Sequence, residues 1–184
     1  LVDSLCDRLS DWRVVVNCAG VFELDTAAHL SQEIFDKAMQ VNAATPTVIA
    51  QEFLAKAKST TGRRVICVTD QKIVNPNPDF FSYTMSKHAY ASTIPMLAMA
   101  VSDPRDRVYG LAPGAILASH DQSEEEIELS HRMNLLKRKT GADEIVQAAL
   151  FLAEGVLESG ETLYIDSGQH LLSQPRDVLF MARE

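Results

Sequence analysis

The sequence contains no run of about eighteen apolar residues, which is the length that a membrane-spanning helix needs. Its first residues, LVDSLCDRLSDW, have neither a basic stretch nor a cleavage signal, so we expect a soluble, cytoplasmic protein. Basic side chains are also few, because 17 Lys and Arg face 25 Asp and Glu, a formal net charge of −8. This balance argues against a nucleic-acid backbone or an anionic membrane as the main partner.

Cysteine is scarce, and no pair has the spacing of a metal or redox motif. Cys6, Cys18 and Cys67 are scattered, and the latter two lie in apolar runs typical of buried strands. We interpret all three as core thiols in a reducing compartment. His120 and His131 also lack a partner at metal-ligand spacing, so the sequence predicts no metal site.

Glycine is equally sparse, with eight residues and no nucleotide-binding turn among them. Neither G-x-G-x-x-G nor G-x-x-x-x-G-K occurs, although a doubly wound nucleotide-binding sheet normally begins with such a turn. The printed sequence opens within a helical pattern. We therefore expect that roughly the first third of a doubly wound domain is absent from it.

What is present is the composition of one ordinary globular domain. The 184 residues are 46% hydrophobic and 23% charged, and the mean hydropathy is −0.04. These values are typical of a chain that buries a substantial core. We predict a single domain over residues 1–184, with no internal repeat.

Short apolar segments alternate with longer amphipathic ones along the chain. Predicted strands cover residues 13–20, 62–70, 106–114 and 161–168. Predicted helices cover residues 1–10, 31–58, 83–101 and 142–154, with a break or bend at Pro46. This alternation predicts βαβ units and therefore an α/β fold, a doubly wound parallel sheet of Rossmann type.

The segment FSYTMSKHAY (81–90) places a tyrosine and a lysine four residues apart. In a helix, Tyr83 and Lys87 lie one turn apart on the same face. A positive charge at about 4 Å supplies roughly 4 kcal/mol at an effective dielectric of about 20, enough to move a phenol pKa by about three units. The spacing predicts an acid–base pair with a lowered phenol pKa, although a solvated helix face produces the same pattern.

Polar residues also stand where the predicted strands end. Asp70 ends the second strand thirteen residues before Tyr83, so a returning loop can bring carboxylate, phenol and ammonium to one pocket. Asn42 precedes Pro46, where a side-chain amide or a freed carbonyl can hold water and relay protons to Lys87. The alternative for Asp70 is a cap on the following turn.

These segments together resemble the short-chain dehydrogenase/reductase superfamily over nearly the whole chain. The motifs are NCAG (17–20), VNAATP (41–46), YTMSK (83–87), LAPG (111–114) and GETLYIDSG (160–168). Asp70 stands where most of the superfamily has serine. With Phe22 after the first turn and the APGAIL segment, Asp70 makes the chain resemble the pteridine and dihydromonapterin reductases, although the serine that this branch often carries is Gly20 here.

The resemblance implies a role for each matching residue. Tyr83 would donate a proton to the reduced substrate, assisted by Lys87, which would also bond the nicotinamide ribose. Asn42 would hold a relay water, and Asp70 would bond the pterin's amino-pyrimidine edge or feed it a proton. The remaining assignments follow the chain: Asn17, Ala19 and Gly20 would line the adenosine ribose and cofactor backbone, and Pro113, Gly114, Ile116 and Leu117 would cover the nicotinamide.

Phe22 would stack on the substrate ring, and Leu117 would also contact the substrate. The alternative for Phe22 is an aromatic residue of the core. The acidic run DQSEEEIE (121–128) is interpreted as a solvated helix face, and the segment around it, about residues 119–139, matches the position of the mobile substrate lid of the superfamily.

The resemblance therefore implies a nicotinamide-dependent reductase, with NADPH more likely than NAD and a pterin-like substrate. Two alternatives stay open: a short-chain dehydrogenase acting on another carbonyl or alcohol, and a catalytically idle dinucleotide-binding protein. It also implies a homotetramer built through residues 31–58 and 83–101, the last strand and the tail. The apolar composition of QHLLSQPRDVLFMARE supports that assembly, because such a tail is not expected to be free.

Overall fold

A computed structural model describes residues 1–119 and 121–184 of the protein. Within these residues, four strands form one sheet, and each strand pairs in parallel with the next in chain order. The strands are β1 (Val14–Asn17), β2 (Arg64–Val68), β3 (Arg107–Pro113) and β4 (Thr162–Ile165). The parallel pairing requires a crossover between successive strands, and helices supply it.

Seven α-helices surround the sheet in the described residues. They are α1 (Val2–Cys6), α2 (Gln32–Ala38), α3 (Thr45–Lys56), α4 (Phe81–Ala100), α5 (Glu124–Ser130), α6 (Ala142–Glu154) and α7 (Val178–Met181). Short 3₁₀ turns follow β2 at Gln71–Ile73 and β4 at Gln169–Leu171. No helix in the described part of the chain is long and apolar enough to cross a membrane.

Both faces of the sheet are buried, as the continuous apolar runs predict. Along β2, Val65 and Cys67 enter one core and Ile66 enters the other. The first core contains Phe53 of α3 with Tyr90 and Ile94 of α4, and the second contains Tyr109, Leu111, Ala148 and Leu152. The doubly wound Rossmann-type sheet predicted from the sequence is confirmed.

The helical segment around Pro46 has an irregular middle. A π-helical stretch, Met39–Ala44, joins α2 to α3, and Pro46 lies in the first turn of α3. Because proline has no N–H, the carbonyl of Asn42 has no donor at the i+4 position. The predicted break near Pro46 is confirmed, and π-helical stretches of this kind occur frequently at functional sites.

Several predicted boundaries are wrong by a few residues. The first helix ends at Cys6 rather than residue 10, because the amides of Arg8 and Leu9 both donate to the carbonyl of Leu5. Strand 13–20 shortens to β1, which ends at Asn17, and irregular structure forms the turn that follows it. Cys18 lies in that turn and is exposed, so its assignment as a core thiol is wrong.

The C-terminal tail (residues 174–184) folds back onto its own chain. Val178 and Leu179 are only 7% and 5% exposed, and α7 lies against α5. Val178 and Leu179 are therefore buried within one molecule, whereas Leu171 of the segment QHLLSQPRDVLFMARE is 61% exposed, so only part of the argument from its composition remains. The expected homotetramer and the cytoplasmic location stay predictions.

Candidate active site

A cavity of about 1130 Å³ opens at the carboxyl edge of the sheet, where ligands of open parallel sheets bind. Its wall combines the turn after β1, the loop after β2, the start of α4, the turn after β3 and the tail. The predicted site residues in this wall are Gly20, Phe22, Asp70, Tyr83, Lys87, Pro113, Gly114, Ile116 and Leu117. Asn17, Ala19 and Asn42 lie outside the wall formed by the described residues.

The start of α4 is fixed by a buried carboxylate. Asp25 accepts hydrogen bonds from the backbone N–H of Ser82 at 2.9 Å and from the Ser82 hydroxyl at 2.5 Å. Phe80 precedes the helix in a left-handed conformation, with φ of 51°. The helix then carries Tyr83 and Lys87 on one face, as the spacing predicts.

The phenol of Tyr83 donates a hydrogen bond to Asp70. The distance from the Tyr83 hydroxyl to Asp70 Oδ2 is 2.7 Å. The other carboxylate oxygen, Oδ1, accepts the backbone N–H of Lys72 at 2.8 Å and caps the turn Gln71–Ile73. Asp70 therefore lies beside the phenol, as its position predicts, and also caps the following turn, and its catalytic role stays a prediction.

The predicted lowering of the phenol pKa is wrong in sign. Burial and the facing carboxylate of Asp70 hold the pKa of Tyr83 well above its ordinary value. Burial also raises the pKa of Asp70, against the nearby Lys72 charge and the hydrogen bond from Tyr83. The phenol is consequently a protonated donor beside a carboxyl group that retains its own proton more readily than an exposed one.

Lys87 is buried at the back of the cavity. Its ammonium donates to the carbonyl of Val68 at 3.0 Å and lies 5.7 Å from the centre of the Tyr83 ring. Burial lowers the pKa of Lys87. Because an ammonium has three donors and one of them is used here, Lys87 can also donate to a ligand.

Asn42 clamps the turn after β1 from its π-helical stretch. Its side-chain Oδ1 accepts the N–H of Val21 at 2.8 Å, and its Nδ2 donates to the Val21 carbonyl at 2.9 Å and to Ser86 at 3.0 Å. Both N–H groups of the amide and one of the two lone pairs of Oδ1 are therefore used by the protein. Any water at this residue is expected at the main-chain carbonyl that Pro46 leaves without an α-helical donor.

The turns after β1 and β3 leave room for a flat ligand. A Cβ at Gly20 would lie 3.4 Å from Asn42 Oδ1 and 3.9 Å from Lys87 Nζ, so glycine keeps the approach to both side chains open. In the β3 turn, the N–H of Ala115 donates to Gln169 at 3.1 Å, which fixes the wall at Pro113–Leu117. Backbone walls and a free ammonium donor fit a nicotinamide and its ribose.

Aromatic rings form the opposite wall of the cavity. Phe22 stacks on Phe80 with ring centres 3.9 Å apart and meets the Tyr83 ring edge-on at 4.7 Å. Phe180 of the tail stacks on the Phe80 ring at 5.9 Å. Phe22 is 42% exposed, so the alternative that it belongs to the core is wrong. Leu117 is 81% exposed at the cavity mouth.

Sequence reasoning missed the wall residues that the tail and the loop contribute. Lys72, Phe80, Asp177, Phe180 and Gln169 all line the cavity. Phe80 had a usable signal, because it precedes Tyr83 by three residues and shares its helix start. Asp177 and Phe180 had none, because their neighbours in the structure are about a hundred residues away in the chain.

The predicted lid segment contains α5 in the structure. Ser123 caps this helix in a reciprocal arrangement with Glu126, and Arg183 of the tail pairs with Glu126 at 3.0 Å. His131 follows the helix, lines the cavity and has its pKa lowered by burial. His120 lies outside the described residues. Within the part of the chain that the structure describes, no group of His, Cys, Asp and Glu could hold a metal ion.

Comparison with known proteins gives a consistent family. The model of a protein family described as enoyl-(acyl carrier protein) reductase matches residues 1–170. A similar solved structure is FolM alternative dihydrofolate reductase 1 from Brucella canis complexed with NADP, which is 31% identical with a TM-score of 0.86. That alignment covers 96% of this chain and 70% of that chain.

Two curated relatives are also similar to this chain. A short-chain type dehydrogenase/reductase from Picea abies is 26% identical over 176 residues, covering 92% of this chain. An NAD-dependent glycerol dehydrogenase from Listeria innocua is 28% identical over 160 residues, covering 84% of this chain. The chain spans 65% and 63% of the lengths of these two relatives.

Proposed function

The chain belongs to the short-chain dehydrogenase/reductase family, and we propose that it is an NAD(P)H-dependent reductase whose substrate is a pterin-like heterocycle. The observation that carries this proposal is the hydrogen bond of 2.7 Å between the Tyr83 phenol and Asp70 inside the cavity. Burial raises the pKa of both groups, so the phenol stays protonated and the carboxyl group holds a proton more readily than an exposed aspartate, which makes the two a proton-donating pair. Such a pair suits a reduction, because the product needs one proton for each hydride.

In the proposed reaction, Tyr83 donates its proton to the substrate nitrogen or oxygen that becomes negative as the neighbouring carbon is reduced. A bound reduced nicotinamide supplies the hydride. Asp70 then returns a proton to the tyrosinate through the same hydrogen bond. The raised pKa of Asp70 favours this return, because it brings the carboxyl group closer to its protonated form than an ordinary aspartate.

The cofactor side is assigned to the predicted residues. Lys87 would donate to the nicotinamide ribose, and Gly20 would allow its close approach. Pro113, Gly114 and Ile116 would cover the nicotinamide ring. Asn17 and Ala19, at the end of β1, would lie toward the adenosine half, outside the cavity wall. The proposed cofactor is NADPH. The complex of FolM with NADP supports this choice, whereas the Listeria relative is named as NAD-dependent.

The substrate assignment rests on the wall that faces Tyr83. A flat heteroaromatic ring gains contact area and orientation from aromatic faces such as Phe22. Asp70 still has lone pairs to accept N–H groups of an amino-pyrimidine edge. FolM from Brucella canis is named an alternative dihydrofolate reductase, and the pterin ring of dihydrofolate belongs to this class, which supports the same assignment.

The main alternative is a short-chain dehydrogenase that acts on a simple carbonyl or alcohol, as the name of the Listeria relative describes. In that case Asp70 replaces serine without a substrate role. The second alternative, an idle dinucleotide-binding protein, accounts less well for the buried Tyr83–Asp70 pair.

The substitution Asp70→Ser separates the pterin assignment from the general one. If Asp70 bonds a pterin edge, kcat/KM for dihydrobiopterin should fall about ten- to a hundredfold, since a charge-assisted hydrogen bond is lost. Reduction of a small diketone should stay equal or improve, because a hydroxyl polarises a carbonyl whereas a carboxylate repels a developing oxyanion.

Both substrates are measured on both proteins with NADPH in excess. Equal responses of the two substrates, or a wild-type protein that ignores pterins, would leave only the broader reductase class. Absence of hydride transfer to any substrate would favour the idle binding protein.

A further inference from the structure

A buried ion pair at the substrate end of the cavity takes no part in the proposed proton transfer. Lys72 Nζ contacts Asp177 Oδ2, and the two side chains are only 6% and 8% exposed. Lys72 belongs to the loop after β2 and Asp177 to the tail, and both line the cavity. Each ion has lost its hydration, so each depends on the other as counterion.

The tail is held in place by contacts other than this pair. The backbone N–H of Asp177 donates to Asp79 at 2.9 Å, and Arg176 pairs with the same carboxylate at 2.7 Å. Asp177 Oδ1 caps α7 by accepting the N–H of Leu179 at 3.0 Å. The ion pair can therefore be changed while the tail keeps its anchors.

Lys72 is also joined to the proton-donating pair. Its backbone N–H bonds Asp70 Oδ1, and its ammonium lies 5.1 Å from the centre of the Phe80 ring and 5.9 Å from that of Phe22. The same loop thus holds the carboxyl group that is hydrogen-bonded to Tyr83 and a cation two residues later. A cation without its own counterion would compete with Tyr83 for Asp70.

We propose that Lys72 and Asp177 are positioning residues, in which the tail carboxylate holds the Lys72 ammonium away from Asp70 and so preserves the hydrogen bond between Tyr83 and Asp70. This inference rests on the proposed reductase function and extends it to the C-terminal tail. Asp177 makes the tail part of the active site, because its carboxylate is the counterion of the Lys72 ammonium.

The titratable and charged groups around Asp70 and Lys72 determine the direction in which the pKa of Asp70 is expected to shift. They comprise Tyr83, Lys87 and His88 of α4, Asp79 of the following loop, and Arg176 and Asp177 of the tail. Removing the negative charge of Asp177 leaves Lys72 uncompensated and should lower the pKa of Asp70. Removing the positive charge of Lys72 should raise it. Removing both should restore it.

The test compares Asp177→Asn, Lys72→Met and the double variant in the whole protein. Asn at 177 retains an oxygen that can cap α7. Reductase activity should fall at high pH as Asp70 loses its proton, and Asp177→Asn should move this alkaline limb down by about one pH unit. Lys72→Met should move it up, and the double variant should coincide with wild type.

A direct titration keeps this test independent of the proposed function. The Asp70 carboxyl carbon is followed by NMR in protein labelled at aspartate, with Asp70→Asn identifying the signal, so no turnover is required. Arg183→Ala, which loosens the outer end of the same tail, is the control and should leave the titration unchanged.

Opposite shifts for the two single variants and recovery in the double variant support the proposal. Unchanged titrations, shifts in one direction for both, or a double variant that stays displaced would overturn it. If one single variant does not fold, the direction seen in the other still decides. A protein without reductase activity that shows these shifts would refute the proposed function and not the ion-pair arrangement.

Discussion

The two ends of the parallel sheet carry the same kinds of charged groups but leave them in different states. At the amino end, Arg63 and Asp106 form a pair whose side chains are 17% and 1% exposed. At the carboxyl end, Lys87 is buried, Asp70 and Tyr83 are half-buried, and all three face a cavity. The difference lies in how many of their hydrogen-bonding groups the protein itself satisfies.

The amino-end pair is saturated by the protein. Asp106 accepts the backbone N–H of Arg63 at 2.7 Å and its guanidinium at 2.5 to 3.2 Å. The remaining guanidinium nitrogen bonds the carbonyl of Leu54 in α3. The hydrogen bonds of this pair offset the free-energy cost of desolvating two charges. They also connect α3 to the starts of β2 and β3, so we assign the pair a stabilising role.

The groups at the carboxyl end keep hydrogen-bond donors and acceptors that the protein does not use. Lys87 donates to one carbonyl, and Tyr83 and Asp70 share one hydrogen bond. Burial shifts all three pKa values: it raises those of Tyr83 and Asp70 and lowers that of Lys87. Groups that are buried but not saturated are typical of sites that do chemistry.

The largest expected effect is at Tyr83. Tyr83→Phe deletes the proton donor and little volume, so kcat should fall about 10²- to 10⁴-fold while the cofactor Kd stays nearly constant. Rapid-mixing kinetics and cofactor titration measure the two quantities. The melting temperature should change little, since only one hydrogen bond is lost. A variant with more than about a tenth of wild-type activity would remove Tyr83 from the mechanism.

The second effect tests the amino end. Asp106→Ala leaves the Arg63 guanidinium without its carboxylate, and the free energy of unfolding should fall by about 3–5 kcal/mol. Urea denaturation measures the loss, and kcat of the folded fraction should be unchanged. The matched control is Asp103→Ala, because Asp103 pairs with the half-exposed Arg105 and its loss should cost far less than the loss of Asp106. Equal losses in the two variants would contradict the comparison.

The sequence predicted the parts of the molecule that short-range patterns encode. Apolar runs located β1 to β4, and the spacing of Tyr83 and Lys87 placed both on one face of α4. The position of Asp70 after β2 correctly brought it to the phenol. These predictions succeeded because strand ends and helix turns fix such residues through local geometry.

The electrostatics and the tail could not be predicted in the same way. The sign of the Tyr83 pKa shift depends on whether Asp70 or Lys87 faces the hydroxyl, and a choice of rotamer and burial decides that. Asp177 contacts Lys72 because the tail folds back, and no pattern of apolar residues in the sequence predicts that fold-back. The exposure of Cys18 likewise follows from where β1 stops, within a run that reads as continuous.

The smallest expected effect sharpens the comparison, because Glu144 is a carboxylate near the carboxyl end that the protein does satisfy. It accepts the backbone N–H of Gly141 at 2.8 Å and pairs with Arg138 at 2.6 Å, at the first turn of α6. These partners lower the pKa of Glu144 from its ordinary 4.5 to about 2. If hydrogen bonding by the protein decides whether a carboxylate is structural, Glu144 should be structural although it lies near the carboxyl end of the sheet.

The sign follows from that lowered pKa. Because the folded state holds the ionised form more strongly than the unfolded state, the stabilisation is complete above pH 4.5 and is lost as the pH falls toward 2. Glu144→Gln should therefore cost about 0.5–1 kcal/mol at pH 7, the range of partly exposed pairs and helix N-terminal charges, and progressively less at pH 4 and pH 3. Urea denaturation of both proteins at these pH values measures the difference, with Glu33→Gln in the first turn of α2 as the charge-matched control. A cost that stays constant with pH, or a loss of kcat at pH 7, would mean that Glu144 acts through packing or chemistry instead of its charge.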